Sequence, residues 1–328
     1  MKQLSLAETG FLPKRGKVTR KAEFLAEMEV VVPWKHPAAL IEPVYPKPGR
    51  GRRSTPLSVM LRIHFMQLWF GYSDPAMEEA LHDIPLLRQF GGLDAFEDEI
   101  PDESTILKFR HLLEANKLAV ALFAEVNAEL SEKGLSMTRG TVIYATLIAA
   151  PRSTKNQEGK RDPEMHQPRK GNQWHFAMKA HIGVDADSGL VHTVVGTAAN
   201  VNDVTQANAL LHGEEEEGFG DAGYQGVEKR PEAGTKVRWH VAMRPGKRRV
   251  LDKTRELDRL RDQLEALKAS ACAKVEHPFR VIKRQFGFTK VRYRGLLKNT
   301  AALMTLFALS NVWMAQRRLS AMTAEVCP

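Results

Sequence analysis

Two cysteines, Cys272 and Cys327, are all that the 328 residues contain. That is too few for a disulfide framework or a cysteine zinc site, and the expected location is a reducing cytoplasm. The first 13 residues lack a compact apolar stretch behind a basic start, so no secretory leader is expected. The longest apolar run, 301–315, is short and interrupted by Thr305, Ser310 and Asn311, which predicts a buried helix and no membrane partner. No HxH or HExxH spacing occurs among the histidines, and His181 and His192, on expected strands, read as structural residues. Walker and GxSxG elements are also missing. What remains is an ordinary globular composition, 43% hydrophobic and 27% charged, which excludes collagen, coiled coil and wholesale disorder. Lys and Arg number 48 against 39 Asp and Glu, a formal +9 that suggests a polyanionic partner.

Three regions follow from the pattern. Residues 1–54 are polar, punctuated by Pro and Gly, and end in a basic arm, Lys47-Pro48-Gly49-Arg50-Gly51-Arg52-Arg53. Residues 55–135 predict short helices joined by tight turns. Thr55 and Pro56 suit a helix start, and Leu57, Met60, Leu61, His64, Phe65 and Leu68 then make one apolar face. Gly71 ends that helix, Ser73-Asp74-Pro75 opens a second, and Asp102–Ser104 a third. A helix-turn-helix-like DNA-binding module and a plain bundle both fit. Residues 136–328 have a different texture. Strands are expected at 141–149, 174–184, 190–197, in a short stretch ending at Phe219-Gly220-Asp221, and at 236–243. Helices are expected at 202–211, 251–267, 276–284 and 299–318. The order implies a mixed α/β sheet flanked by helices.

Asp221 stands at the carboxyl end of its short strand beside Gly220, Gly223 and Gly226. Ligands bind at that edge in open α/β sheets, although an Asp capping a turn is the plainer reading. Glu276, Arg280 and Lys283 share one stripe of a continuous helix, with Lys283 about two turns, ~10 Å, beyond Glu276. A carboxylate flanked by cations suits a metal-bound phosphodiester, and a solvated ion-pair stripe is the alternative. Between residues 277 and 299 stand seven basic residues, Arg280, Lys283, Arg284, Lys290, Arg292, Arg294 and Lys298, and no acid. Phe286, Phe288 and Tyr293 interleave with them, as on a nucleic-acid backbone track. A second basic stretch, Arg152 to Lys170, is diluted by Glu158, Asp162 and Glu164 and reads as a solvated loop.

Five segments taken in order resemble the transposases of bacterial insertion sequences, specifically the insertion-sequence-five family. They are Pro75-Ala76-Met77-Glu78-Glu79-Ala80-Leu81, Ser153-Thr154-Lys155-Asn156, Lys179-Ala180-His181-Ile182-Gly183-Val184-Asp185, Gly220-Asp221-Ala222-Gly223-Tyr224-Gln225-Gly226 and Glu276-His277-Pro278-Phe279-Arg280-Val281-Ile282-Lys283. The resemblance implies an N-terminal helical DNA-binding module and a ribonuclease H-like catalytic core. It implies an Asp-Asp-Glu triad holding two Mg²⁺ or Mn²⁺ ions, with Asp221 and Glu276 as the second and third acids and metal ligands. It also implies double-stranded DNA partners, the element's inverted repeats and a target, and a homo-oligomer working on them.

The first acid is missing. Where the family reads Asp-Ala-Thr, this chain reads Tyr144-Ala145-Thr146. A phenol with a pKa near ~10 is a poor bridging ligand at neutral pH. The family's Arg four residues before the Glu is here Cys272, and Glu216-Glu217 enter a strand that is normally apolar. Asp185 and Asp187, in the neighbouring hairpin turn, are not expected to substitute. A transposase with impaired strand transfer is therefore expected. The alternatives are a catalytically inactive DNA-binding regulator or inhibitor of transposition, and an unrelated metal-dependent nuclease on the same fold.

Overall fold

A computed structural model describes residues 18–47, 54–94, 98–135, 140–156, 158–230 and 237–325. Most of the expected basic arm, including 48–53, lies outside the described residues, as does Cys327. The chain forms two compact units, Met1–Glu125 with Val312–Pro328, and Val126–Asn311.

The first unit is helical: α1 (Arg20–Val31), α2 (Lys35–Ile41), α3 (Leu57–Phe70), α4 (Asp74–Asp83), α5 (Pro85–Gly91) and α6 (Glu103–Ala115). The expected caps of α4 and α6 are present. Ser73 accepts from the Ala76 amide and Asp102 from the Thr105 amide, while Gly71 closes α3 at φ 74°. Thr55 does not cap α3. Pro56 occupies that position, and the Thr55 carbonyl accepts from the Tyr45 hydroxyl at 2.6 Å. Nor does α3 have a single apolar face. Its residues from Val59 to Trp69 are buried with one exception, Arg62, so it is the central helix of the unit. Two cations serve the fold internally. Arg110 reaches Asp74 and Glu114, each at 2.9 Å, and Arg62 pairs with Glu29 over the Trp34 ring.

The second unit holds a five-stranded mixed sheet. Its strands are β1 (Gly140–Ala149), β2 (Ala177–Asp185), β3 (Val191–Ala198), β4 (Glu217–Gly220) and β5 (Arg238–Val241), in the order β3-β2-β1-β4-β5. The first three form an antiparallel meander, and β4 and β5 extend it in parallel from β1. The β-branched run of β1 is what commits it to the middle of the sheet, where Val142, Ile143 and Ile148 are fully buried. Helix α7 (Leu118–Glu132) precedes β1, and α8 (Pro245–Arg249), α9 (Glu256–Ala273), α10 (Glu276–Arg280), a π-turn (Val281–Gln285) and α11 (Leu296–Glu325) follow β5.

Where a helix is expected at 202–211 there are two 3₁₀ turns, Asp203–Gln206 and Asn208–Leu210. Asn202, Asp203, Thr205 and Asn208 are weak α-formers, and Thr205 bonds back to the Asn202 carbonyl. The turn lies close on the sheet because β2 has no side chain beneath it. A Cβ on Gly183 would stand 2.0 Å from the Leu210 carbonyl oxygen and 2.8 Å from the His192 ring. Asn311 ties α11 to the opposite side. Fully buried, it gives and takes a hydrogen bond with the Val191 backbone and donates to the Asn127 side chain. On α9 the leucines 257, 260, 264 and 267 are 50–69% exposed.

Candidate active site

The site begins with strand register. Parallel β1 and β4 pair Ile143 with Gly220, so the next residues, Tyr144 and Asp221, leave neighbouring strands side by side, strands being about 4.8 Å apart. Asp221 Oδ1 accepts the Gly223 amide at 2.8 Å. Residue 223 must be small, because a Cβ there would lie 2.9 Å from that oxygen and 3.8 Å from Asp203 Oδ2. Asp203 therefore turns one oxygen toward Asp221. Its other oxygen takes the Lys179 ammonium of β2 at 2.8 Å, and that ammonium also reaches the Val201 carbonyl. Glu276 opens α10 on the exposed side, and one turn later the Phe279 ring packs 5.9 Å from the Tyr144 ring and 5.5 Å from Phe307.

Charge links these groups. Burial, then the negative charges of Glu276, Asp221 and Asp203, push the Tyr144 hydroxyl above its ordinary range, so it stays a neutral phenol. Burial also raises the Asp221 carboxyl, opposed by the Gly223 amide and reinforced by Asp203. Tyr224 is 1% exposed and its hydroxyl has no hydrogen-bond partner among the described residues; burial and the charges of Asp203 and Asp221 raise it strongly. Burial, then the charges of Asp221 and Glu265, push the Cys272 thiol up to about 11, so that side chain lies within electrostatic reach of Asp221.

Tyr144, Asp221 and Glu276 are thus brought together around the phenol, and Asp203 joins them. Sequence reasoning missed Asp203, because an Asp opening an expected helix has the signature of any N-cap. Asp185 is a turn residue, with Oδ1 accepting from the Asp187 and Ser188 amides and the Ser188 hydroxyl.

Arg280, Arg284, Lys290, Arg294 and Lys298 are exposed, and Lys283, Arg292 and Arg294 have contacts within the unit. Lys283 donates to Thr146 Oγ1 at 2.8 Å from a π-turn, Val281–Gln285, where a regular helix is expected. Arg292 lies over the Phe288 ring, and Arg294 pairs with Glu158 at 2.6 Å. The acids of the 152–170 stretch, read as solvated, instead meet this tract. Asp162 and Glu164 accept the amides of Gly295 and Leu296 at the start of α11.

The Transposase DDE domain family matches residues 136–312, the segment that carries every group just described. This chain belongs to that transposase family. The Transposase domain (DUF772) family matches residues 14–112, over the helical unit. Among solved structures the transposase is similar to a piggyBac transposase synaptic complex with hairpin DNA, at 11% identity and a TM-score of 0.45, covering 92% of this chain and 74% of that one. DDE transposase domains use divalent metal ions, and the donors present are of the right kind. Oxygens of Asp221, Asp203 and Glu276 form a hard, anionic set, and the mutual repulsion of Asp221 and Asp203 is what a cation would relieve.

Until a cation binds, Asp221 is a liability to the fold. Its folded pKa lies above the ordinary 3.8, so the native state holds the proton longer than the unfolded chain, and stability falls as pH rises through that window. In metal-free buffer Asp221→Asn is expected to raise Tm at pH 7, with the gain shrinking to nothing below about pH 4. Calorimetry across pH checks this, and an unchanged or lowered Tm at pH 7 would contradict the placement of the carboxylate.

Proposed function

We infer that the chain is an insertion-sequence transposase of the insertion-sequence-five type that binds its element's inverted repeats but cuts and joins them poorly. The observation that carries this reading is the register of β1 and β4, which sets a neutral phenol where a carboxylate beside Asp221 is needed. A ribonuclease H-like core is supported by the same sheet, a three-stranded meander extended by two parallel strands. The exposed cations Arg280, Arg284, Lys290 and Lys298 support a DNA-binding role, and the two-unit division supports a helical module preceding a catalytic core.

A bound divalent cation, Mg²⁺ or Mn²⁺, would neutralise charge building on a scissile phosphate. Asp221 and Glu276 would hold it, with Asp203 as a third carboxylate weakened by its ion pair to Lys179. Tyr144 offers one hydroxyl that can donate to a phosphate oxygen but adds no negative charge for a second ion. Its ring also fills space against Phe279. The position of Cys272, close enough to feel Asp221, removes the cation that the resemblance puts there.

Tyr144→Asp combined with Cys272→Arg is expected to raise Mg²⁺-dependent cleavage of inverted-repeat DNA by about a hundredfold or more, the scale of one lost charge-stabilising group. Equal, robust cleavage by the unmodified chain would overturn the impairment.

The second reading is an inactive regulator that occupies the repeats, favoured by exposed cations beside an incomplete acidic set. For both readings, binding of inverted-repeat duplex in a mobility-shift series should weaken steeply with salt. A flat salt response removes DNA binding from either.

Association of copies is supported by α9. Leu257, Leu260, Leu264 and Leu267 recur at alternating steps of three and four, the seam of a helix pair, and each is exposed. In a parallel pair Glu256 of one copy falls opposite Arg261 of the other. The double variant L260E/L264E should sediment as a monomer under conditions where the parent associates, and a parent that never self-associates rejects the seam.

A further inference from the structure

On the same face of the sheet as Ile143, away from the acids, His192, His212 and Glu215 converge. Their ligand atoms all lie within 4.8 Å of one another, although the residues come from β3 and from the loop between the second 3₁₀ turn and β4. Glycine makes this convergence possible. Thr141 on β1 and His192 on β3 flank β2, and with no side chain at Gly183 between them their polar ends meet over the middle strand. Thr141 Oγ1 lies 3.0 Å from His192 Nε2 and 2.9 Å from Glu215 Oε1, and His212 Nε2 lies 3.4 Å from the same carboxylate oxygen.

We propose that His192, His212 and Glu215, with the Thr141 hydroxyl at the fourth corner, form a zinc site distinct from the DDE acids.

Zinc bonds of about 2.0–2.1 Å to nitrogen and oxygen give tetrahedral edges of about 3.3 Å. The three measured separations of 2.9, 3.0 and 3.4 Å are close to that edge. Two imidazoles and one carboxylate select Zn²⁺, or Co²⁺ in its place, over Mg²⁺. The carboxylate of Glu215 is completely buried, and among the described residues its ion-pair partner is His212, not a Lys or Arg. Neutral donors hold it, the Thr141 hydroxyl and the amides of His212 and Gly213, so a buried anion has no fixed cation beside it. Second-sphere support exists for one imidazole, since His192 Nδ1 lies 2.9 Å from the Thr193 hydroxyl and can donate to it once Nε2 is a ligand. At His212 Nδ1 the contact from the Glu214 amide is long, 3.4 Å, and gives way. Each imidazole binds in its neutral form through Nε2, so loading shifts the ring proton now held there to Nδ1.

The role follows from the connection. The loop carrying His212 and Glu215 runs directly into β4, and Asp221 is the residue that follows β4. Zinc at this point would fix the start of β4 against β1 and β3, and so set the depth at which Asp221 emerges. It would be structural and independent of whether the acids still catalyse.

The test uses the purified full chain stripped with chelator, titrated with Zn²⁺ and separately with Co²⁺, in both the parent and Asp221→Asn backgrounds. One equivalent should bind in both backgrounds, resist excess Mg²⁺, raise Tm, and give the intense visible band of tetrahedral Co²⁺. His212→Ala, at the partly exposed end of the cluster, should weaken Zn²⁺ affinity by at least about a hundredfold and abolish the band. Glu215→Gln serves as a second variant, each checked for native circular dichroism. A parent chain with no tetrahedral cobalt band overturns the proposal without any variant. Zinc held equally by His212→Ala, or lost in Asp221→Asn, overturns it too, the latter by moving the ion to the acids.

Discussion

Four backbone pairings between β1 and β4 govern what this transposase can do. They place Ile143 opposite Gly220, and every group at the candidate site takes its position from the next step along both strands. A shift of one residue would turn Tyr144 to the opposite face, and with it the whole set that packs against α10. The register is fixed by burial on both sides of the sheet, with Val142 and Phe279 on one face and Ile143, Leu210 and Tyr224 on the other. A hydrophobic interior thus decides where the acids stand.

That interior also explains how the fold accommodates a tyrosine at position 144. A carboxylate at position 144 would lie among Asp221, Asp203 and Glu276, and its repulsion would need a cation. A tyrosine there needs none. Its ring joins Phe279 and Phe307 in an aromatic row, and its hydroxyl remains protonated among the acids. Position 144 therefore satisfies folding without a metal, and selection for folding alone would retain the tyrosine.

Much of this was legible in the chain. Strand β1 announced itself through Val142-Ile143 and Leu147-Ile148, the hairpin of β2 and β3 through Asp185 to Gly189, and α4 and α6 through Ser73 and Asp102. Asp221 was marked by its glycines. What stayed hidden required contacts between distant segments. Asp203 joins Asp221 only because a 3₁₀ turn replaces the expected helix, and no local pattern states that. Basic residues read as a continuous track lost Arg294 to Glu158 and Lys283 to Thr146, each more than a hundred positions away. His212 and Glu215 stand three residues apart, but their meeting with the distant His192 depends on a missing side chain at Gly183. The division of Leu296–Glu325 between two compact units was equally invisible, because its apolar run reads as one helix throughout.

Asn311 sets an order of events during synthesis. The Val191 amide and carbonyl, on the edge strand of the five-stranded sheet, both bond to that side chain. Residues 191 and 311 are separated by most of the second unit, so the strand leaves the ribosome long before its seal. Through that interval the nascent sheet carries an open margin able to template pairing with another polypeptide. The final locking of this half of the molecule is accordingly a late, long-loop closure, and α11 is its bolt.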